Sequence, residues 1–171
     1  MSTQNIENFI PPIQSDGLNS AVAVNFIKTL NYVGNIVDIN TGATLTVAQS
    51  GSYVLWDSAT GFTITLPTPA VGLIYELIVA KTATIGTHSL VANNTTSQFM
   101  YGPASVTNIT TGTVGTFVGT ASIGQAIRMN GTTSGGSVGT IITVVATSAT
   151  QWSVSGQLIG SGIVTTPWTT T

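Results

Sequence analysis

Beyond Gly42 the chain is a succession of short apolar, β-branched runs separated by Gly, Pro, Asn, Ser and Thr. Residues 62–66 set the pattern: in Phe62-Thr63-Ile64-Thr65-Leu66 the apolar side chains take every second position. Successive residues of a strand point to opposite faces, so Phe62, Ile64 and Leu66 line one face and the two threonines the other. Pro67 and Pro69 end that strand, because proline has no N–H to give a central ladder, and Gly72 turns the chain before the next run. The same reading predicts strands over residues 44–48, 52–56, 74–81, 88–92, 99–101, 117–119, 126–130, 140–147 and 151–155. None of these runs has the 3.6-residue period of a helix.

The first forty residues read differently. Residues 1–17 are polar, contain the pair Pro11-Pro12, and scatter Ile6, Phe9, Ile10 and Ile13 without a period. Proline pairs favour an extended backbone, so this stretch is expected to be an arm whose apolar residues need a partner. Between residues 18 and 30, Leu18, Val22, Phe26 and Leu30 fit helical spacing while Val22, Val24 and Phe26 fit strand alternation, and strand is preferred. Many short strands with no helix-length spacers predict an all-β fold, an antiparallel sandwich or jelly-roll-like barrel with an extended N-terminal arm. The expected divisions are an arm (1–17), a connecting segment (18–40), the β-domain (41–164) and a tail (165–171). The glycine-rich loop 130–139 is expected to be flexible, and Trp168 to anchor the tail on a neighbouring subunit.

Composition sharpens the picture. Asp, Glu, Lys and Arg make up 5% of the chain, against roughly 25% in an ordinary soluble domain. The 31 Thr and 16 Ser supply a hydroxyl-rich surface instead. With a net charge of -2 there is little repulsion between copies, so self-association is expected. Lys28, Lys81 and Arg128 are far apart in sequence, which argues against direct nucleic-acid binding. No apolar run approaches the ~18 residues of a membrane span, and the N-terminus lacks a signal-peptide pattern, so a cytoplasmic product without membrane contact is expected. The Asn-x-Ser/Thr matches at Asn93, Asn94, Asn108 and Asn130 are read as chance in a Thr-rich chain.

Candidate chemistry is sparse. Gly135-Gly136-Ser137-Val138-Gly139 matches the form of a nucleophile elbow, but the single histidine, His88, lies upstream and no acid follows Glu76. There is no cysteine, and His88 with five scattered carboxylates does not make a metal-ligand pattern. Asp57 and Glu76 could form a glycosidase pair, but Asp57 is expected to cap the turn 57–61 and Glu76 to sit on a solvated or paired face. Trp56 and Trp152 are read as core. The chain is therefore expected to be no enzyme and to hold no cofactor or metal.

The stretch Gly61-Phe-Thr-Ile-Thr-Leu-Pro-Thr-Pro-Ala-Val-Gly72, followed by the run 73–79, resembles a β-rich module of structural proteins of tailed bacteriophages. Gly139-Thr-Ile-Ile-Thr-Val-Val, then Gln151-Trp152-Ser153-Val154 and Gly156, is similar to that module's usual end. The resemblance implies a virion part, and together with the sparse charge and the arm it is read as a capsid decoration or cement subunit, expected as a homotrimer, that binds the major capsid protein. Its candidate contacts are Ile6, Phe9, Ile10, Pro11, Pro12 and Ile13 in the arm, and Trp168. The alternative it allows is a fibre or spike domain that binds host glycans.

Overall fold

The structure is a computed structural model and describes residues 35–170. The expected arm (1–17) with Ile6, Phe9, Ile10, Pro11, Pro12 and Ile13, and residues 18–34 of the connecting segment, lie outside the described residues.

Twelve strands run β1 (Ile36–Ile39), β2 (Ala43–Thr44), β3 (Ser52–Trp56), β4 (Thr63–Thr65), β5 (Ile74–Val79), β6 (His88–Val91), β7 (Phe99–Asn108), β8 (Val114–Gly119), β9 (Ala126–Met129), β10 (Ile141–Ala146), β11 (Gln151–Gly160) and β12 (Trp168–Thr169). They form a seven-stranded sheet of order β1-β3-β5-β10-β11-β7-β8 and a five-stranded sheet of order β12-β9-β6-β4-β2. The all-β, two-sheet expectation holds. The boundaries of the β-domain are wider than expected, since β1 comes from the connecting segment and β12 from the tail.

The pairing is mixed rather than purely antiparallel. From β1 to β6 the chain alternates between the two sheets, so each strand lies parallel to the one two places earlier: β1 to β3, β3 to β5, β2 to β4 and β4 to β6. Parallel neighbours need a crossover of a dozen or more residues. Here a strand of the opposite sheet fills that crossover where an α/β protein would use a helix. Paired residues are consequently 17 to 26 positions apart, as in Ile36 with Tyr53 and Ile64 with Leu90. The second half closes the sheets with antiparallel ladders, β5 to β10, β10 to β11, β6 to β9 and β7 to β8, and with the parallel pair β7 and β11.

Alternation decides which side chains go inside. Val54, Tyr75, Leu77, Val144 and Val154 from the larger sheet meet Ile64, Leu90, Ile127 and Met129 from the smaller one in a single core. Trp56 and Trp152 are fully buried in it, as the alternation predicted. Burial of each such large apolar side chain is worth roughly 1.5–3 kcal/mol. Tyr75 packs against Trp152 at 6.0 Å and satisfies its hydroxyl by donating to the Thr46 carbonyl at 2.9 Å.

Loop 130–139 is tightly bonded, contrary to the flexibility expected of its glycines. Asn130 Oδ1 accepts from the backbone N–H groups of Thr132, Thr133 and Ser134 at 3.0, 2.8 and 3.2 Å. The Gly131 N–H donates to the Gly135 carbonyl at 2.7 Å. The fully buried Thr140 Oγ1 accepts from both Gly136 N–H (3.3 Å) and Ile159 N–H (2.9 Å). Short polar side chains can satisfy a loop's backbone as a ladder does, so a glycine-rich composition does not leave that backbone unbonded.

Candidate functional site

The outer face of the seven-stranded sheet divides into two halves of different chemistry. On the β1, β3, β5 and β10 side, register places Asp38, Leu55, Ile78 and Ile141 in one lateral row. The next row is Ile36, Tyr53, Glu76 and Thr143, and Ile74 stands beside Val145 in a third. Each is on the face opposite the core, because its strand neighbours are the buried residues. Ile36 is 57% exposed and Ile74 41%, while Leu55, Ile78 and Val145 are half-buried. Glu76 and Thr143 stand between the Ile78 and Ile141 pair and the Ile74 and Val145 pair, so the apolar side chains form two groups on one outward face.

Across β11, β7 and β8 the same face mixes hydroxyls and amides with exposed Val114 (58%) and Val118 (55%) on β8. Gln151, Ser153, Ser155 and Gln157 point outward from β11, and Ser105 and Thr107 from β7. Ser105 Oγ and Thr116 Oγ1 are 3.0 Å apart across β7 and β8.

Charge is distributed unevenly over the described residues. The outward apolar half carries two carboxylates, Asp38 and Glu76, and no cation. Arg128 is exposed on the outer face of the smaller sheet, beside Ser89 and Thr63, and has no ion pair there. Lys81 pairs with Asp57 at 2.9 Å; an exposed pair of this type contributes at most about 1 kcal/mol. Asp57 therefore does not cap its turn as expected; the Ser58 hydroxyl does so by accepting from the Thr60 N–H at 3.1 Å.

The residues with chemical potential are kept apart. Trp56 pairs with Val79 and Tyr53 with Glu76, which puts Asp57 about four residues from Glu76 along the sheet. That is a separation of about 13 Å, beyond the roughly 5–9.5 Å of a glycosidase pair. The Ser137 hydroxyl donates to the Gly131 carbonyl at 2.9 Å within its own loop. Among the described residues no group of three His, Cys, Asp or Glu could hold a metal ion.

His88 is fully buried on β6, 5.3 Å from the Trp56 ring and 5.4 Å from Phe62. Neither ring nitrogen has a hydrogen-bond partner of good geometry. Burial pushes its pKa below the usual histidine value, and the backbone at Lys81 and Ser58 opposes that shift only in part. The imidazole is thus a neutral packing ring at pH 7. As pH falls below about 6.5 the unfolded chain takes up the proton before the folded one does. Stability is therefore expected to fall from pH 7.5 to pH 5, with a slope of at most about 1.4 kcal/mol per pH unit. Denaturation midpoints across that range check this: His88→Phe should flatten the part of the slope that His88 carries, and an unchanged slope would refute its assignment.

Comparison with family models, curated proteins and solved structures gives no match to this chain.

Trp168 corrects an expectation. It is 4% exposed, donates its indole N–H to the Phe117 carbonyl at 3.3 Å, and pairs with Ile127 on β9. The ring closes the core of its own chain and cannot anchor a neighbour. Its position near the chain end, in a run of threonines, concealed this, because β12 is only two residues long and has no alternation to read. The outward patch was likewise hidden, since Leu55 and Ile78 sit in strands whose apolar runs conceal which of their residues face the core.

Proposed function

We propose that this chain is a structural virion subunit, a capsid decoration protein that assembles as a homotrimer and stabilises the lattice of the major capsid protein. The observation that carries the reading is the outward apolar patch of β1, β3, β5 and β10 on a chain with almost no charge. Its occupant is a second copy. The patch offers carboxylates and the outer face of the smaller sheet offers Arg128, so two copies are complementary head to tail, not face to face. A heterologous contact of this sort closes into a ring when the rotation permits. Residues 1–17 remain to reach the shell, with Phe9, Ile10 and Ile13 as anchors.

The activity would be thermodynamic. A ligand that binds the assembled lattice and not its dissociated subunits stabilises the lattice by mass action. No bond is made or broken. The fibre or spike reading, with host glycans as ligand, is favoured by one observation, the hydroxyl and amide half of the same sheet.

Co-sedimentation with undecorated capsids tests the decoration reading. The full chain is expected to pellet with the shells, and a version lacking residues 1–16 to stay in the supernatant while keeping its β circular dichroism. If neither version pellets, the decoration reading is wrong.

A further inference from the structure

The polar half of the larger sheet has features that self-association does not use. At one end of β7, Phe99 and Tyr101 point outward with ring centroids 6.4 Å apart in an edge-to-face arrangement. Register sets Gln151 beside Phe99 and Ser153 beside Tyr101. Toward the other end lies a hollow of about 380 Å³, bounded by Ser105, Thr107 and Gln157 and floored in part by Ile109 and Ile159. That volume falls in the roughly 300–1,000 Å³ range of small-ligand sites. Tyr101 and Ser105 are four residues apart on one strand, a distance of about 13 Å.

We infer that this strip, from the Phe99 and Tyr101 rings to the Ser105, Thr107 and Gln157 hollow, is a binding site for a neutral oligosaccharide. A sugar ring has an apolar C–H face that packs on an aromatic ring and a rim of hydroxyls that both donate and accept. The strip supplies both complements: two partly open aromatic rings, and serine, threonine and glutamine side chains that donate and accept in turn.

Its lack of charge selects against other ligands. No Asp, Glu, Lys or Arg stands on β11, β7 or β8. The nearest outward carboxylate, Glu76, is two strands from Ser155 through Thr143, or about 10 Å away. A nucleic acid or an acidic glycan would need cations. A peptide adding as a strand would need free ladder groups, whereas β11 lies between β10 and β7, and β7 is paired with β11 and, from Gly102 to Thr107, with β8. A neutral polyol needs neither.

The site is independent of the decoration reading, since it is tested on the protein without capsids. The experiment is an NMR titration of the full chain with maltoheptaose, cellohexaose and a mannan oligosaccharide, with sialyllactose as the charged comparison. At least one neutral sugar is expected to bind at millimolar or lower concentration, with shifts confined to residues 99–107 and 151–159. Tyr101→Ala should weaken that binding about tenfold, the upper end of what one aromatic contact supplies. Gln157→Ala should weaken it with the fold intact, which guards against a misfolded Tyr101 variant. No shift with any neutral sugar, shifts elsewhere on the surface, or equal binding of sialyllactose would overturn the assignment.

Discussion

Gly102→Ala is expected to destabilise the protein by about 3–5 kcal/mol, more than any substitution on the outer face of the sheet. Gly102 lies in the middle of β7 with φ +137°, a backbone region that is strained for any residue with a side chain. A methyl group there would also fall on the carbonyl of Val154 in β11. The ladder between the two strands already skips this point: Ser153 pairs with Tyr101 and Gly156 with Ala104, with no pairing between them. Pro103 follows with no N–H to offer, so the close backbone approach at Gly102 sits where the ladder has no hydrogen bond to give up. Gly112 is the control. Its φ is +72° but nothing lies within 4 Å of an added methyl, so Gly112→Ala should cost only the left-handed strain of about 1–2 kcal/mol. Urea midpoints of the two variants measure the difference; equal costs would mean that the Val154 contact contributes nothing.

Replacing Leu55 and Ile78 together by lysine should have the largest effect on assembly and a small one on folding. The two residues are lateral neighbours on the outer face, so their side chains are outside the core that Val54, Trp56, Leu77 and Val79 fill. In a free subunit the lysine heads reach water and the fold tolerates them. In the proposed ring the same positions are covered by the next copy, and taking two ammonium groups out of water costs several kcal/mol even with Asp38 and Glu76 nearby. Arg128 of the neighbouring copy would face them with like charge as well. The expected product is a folded, monomeric variant with the β circular dichroism of the parent.

What could be read from the sequence follows from how far each signal reaches. Strands β3, β4, β5, β6, β9 and β10 fall where alternation and flanking turn residues put them, because both signals are local. β4 ends just before Pro67 and Pro69, as expected, and Gly72 adopts φ +94° in the turn before β5. β7 and β11 run ten residues each, where shorter strands were expected. Gly102, Pro103 and Gly156 look like breaks in sequence, yet in the fold they lie inside continuous strands, the glycines at close approaches to neighbouring atoms. The parallel winding of β1 to β6 was not legible, since each strand's partner lies a full circuit away and a Thr-rich strand reads alike in either direction.

The same reach explains the site. Sparse charge and abundant hydroxyls are visible in composition, and the proposal of contact between copies rests on them. Which aliphatic residues face outward was not visible, because outward Leu55 and inward Val54 differ only in the partner across the sheet. Trp168 is the converse case: a lone aromatic among threonines looks available until β9 pairs with it.

Sedimentation equilibrium of the full chain over a range of concentrations tests the central claim, that this is an assembling subunit joined through the outer face of its larger sheet. The account predicts a species of three times the 17.5 kDa chain mass, reduced to a single chain by Leu55→Lys with Ile78→Lys. A parent protein that stays at 17.5 kDa at every concentration, or a trimer that the double substitution leaves intact, would contradict it.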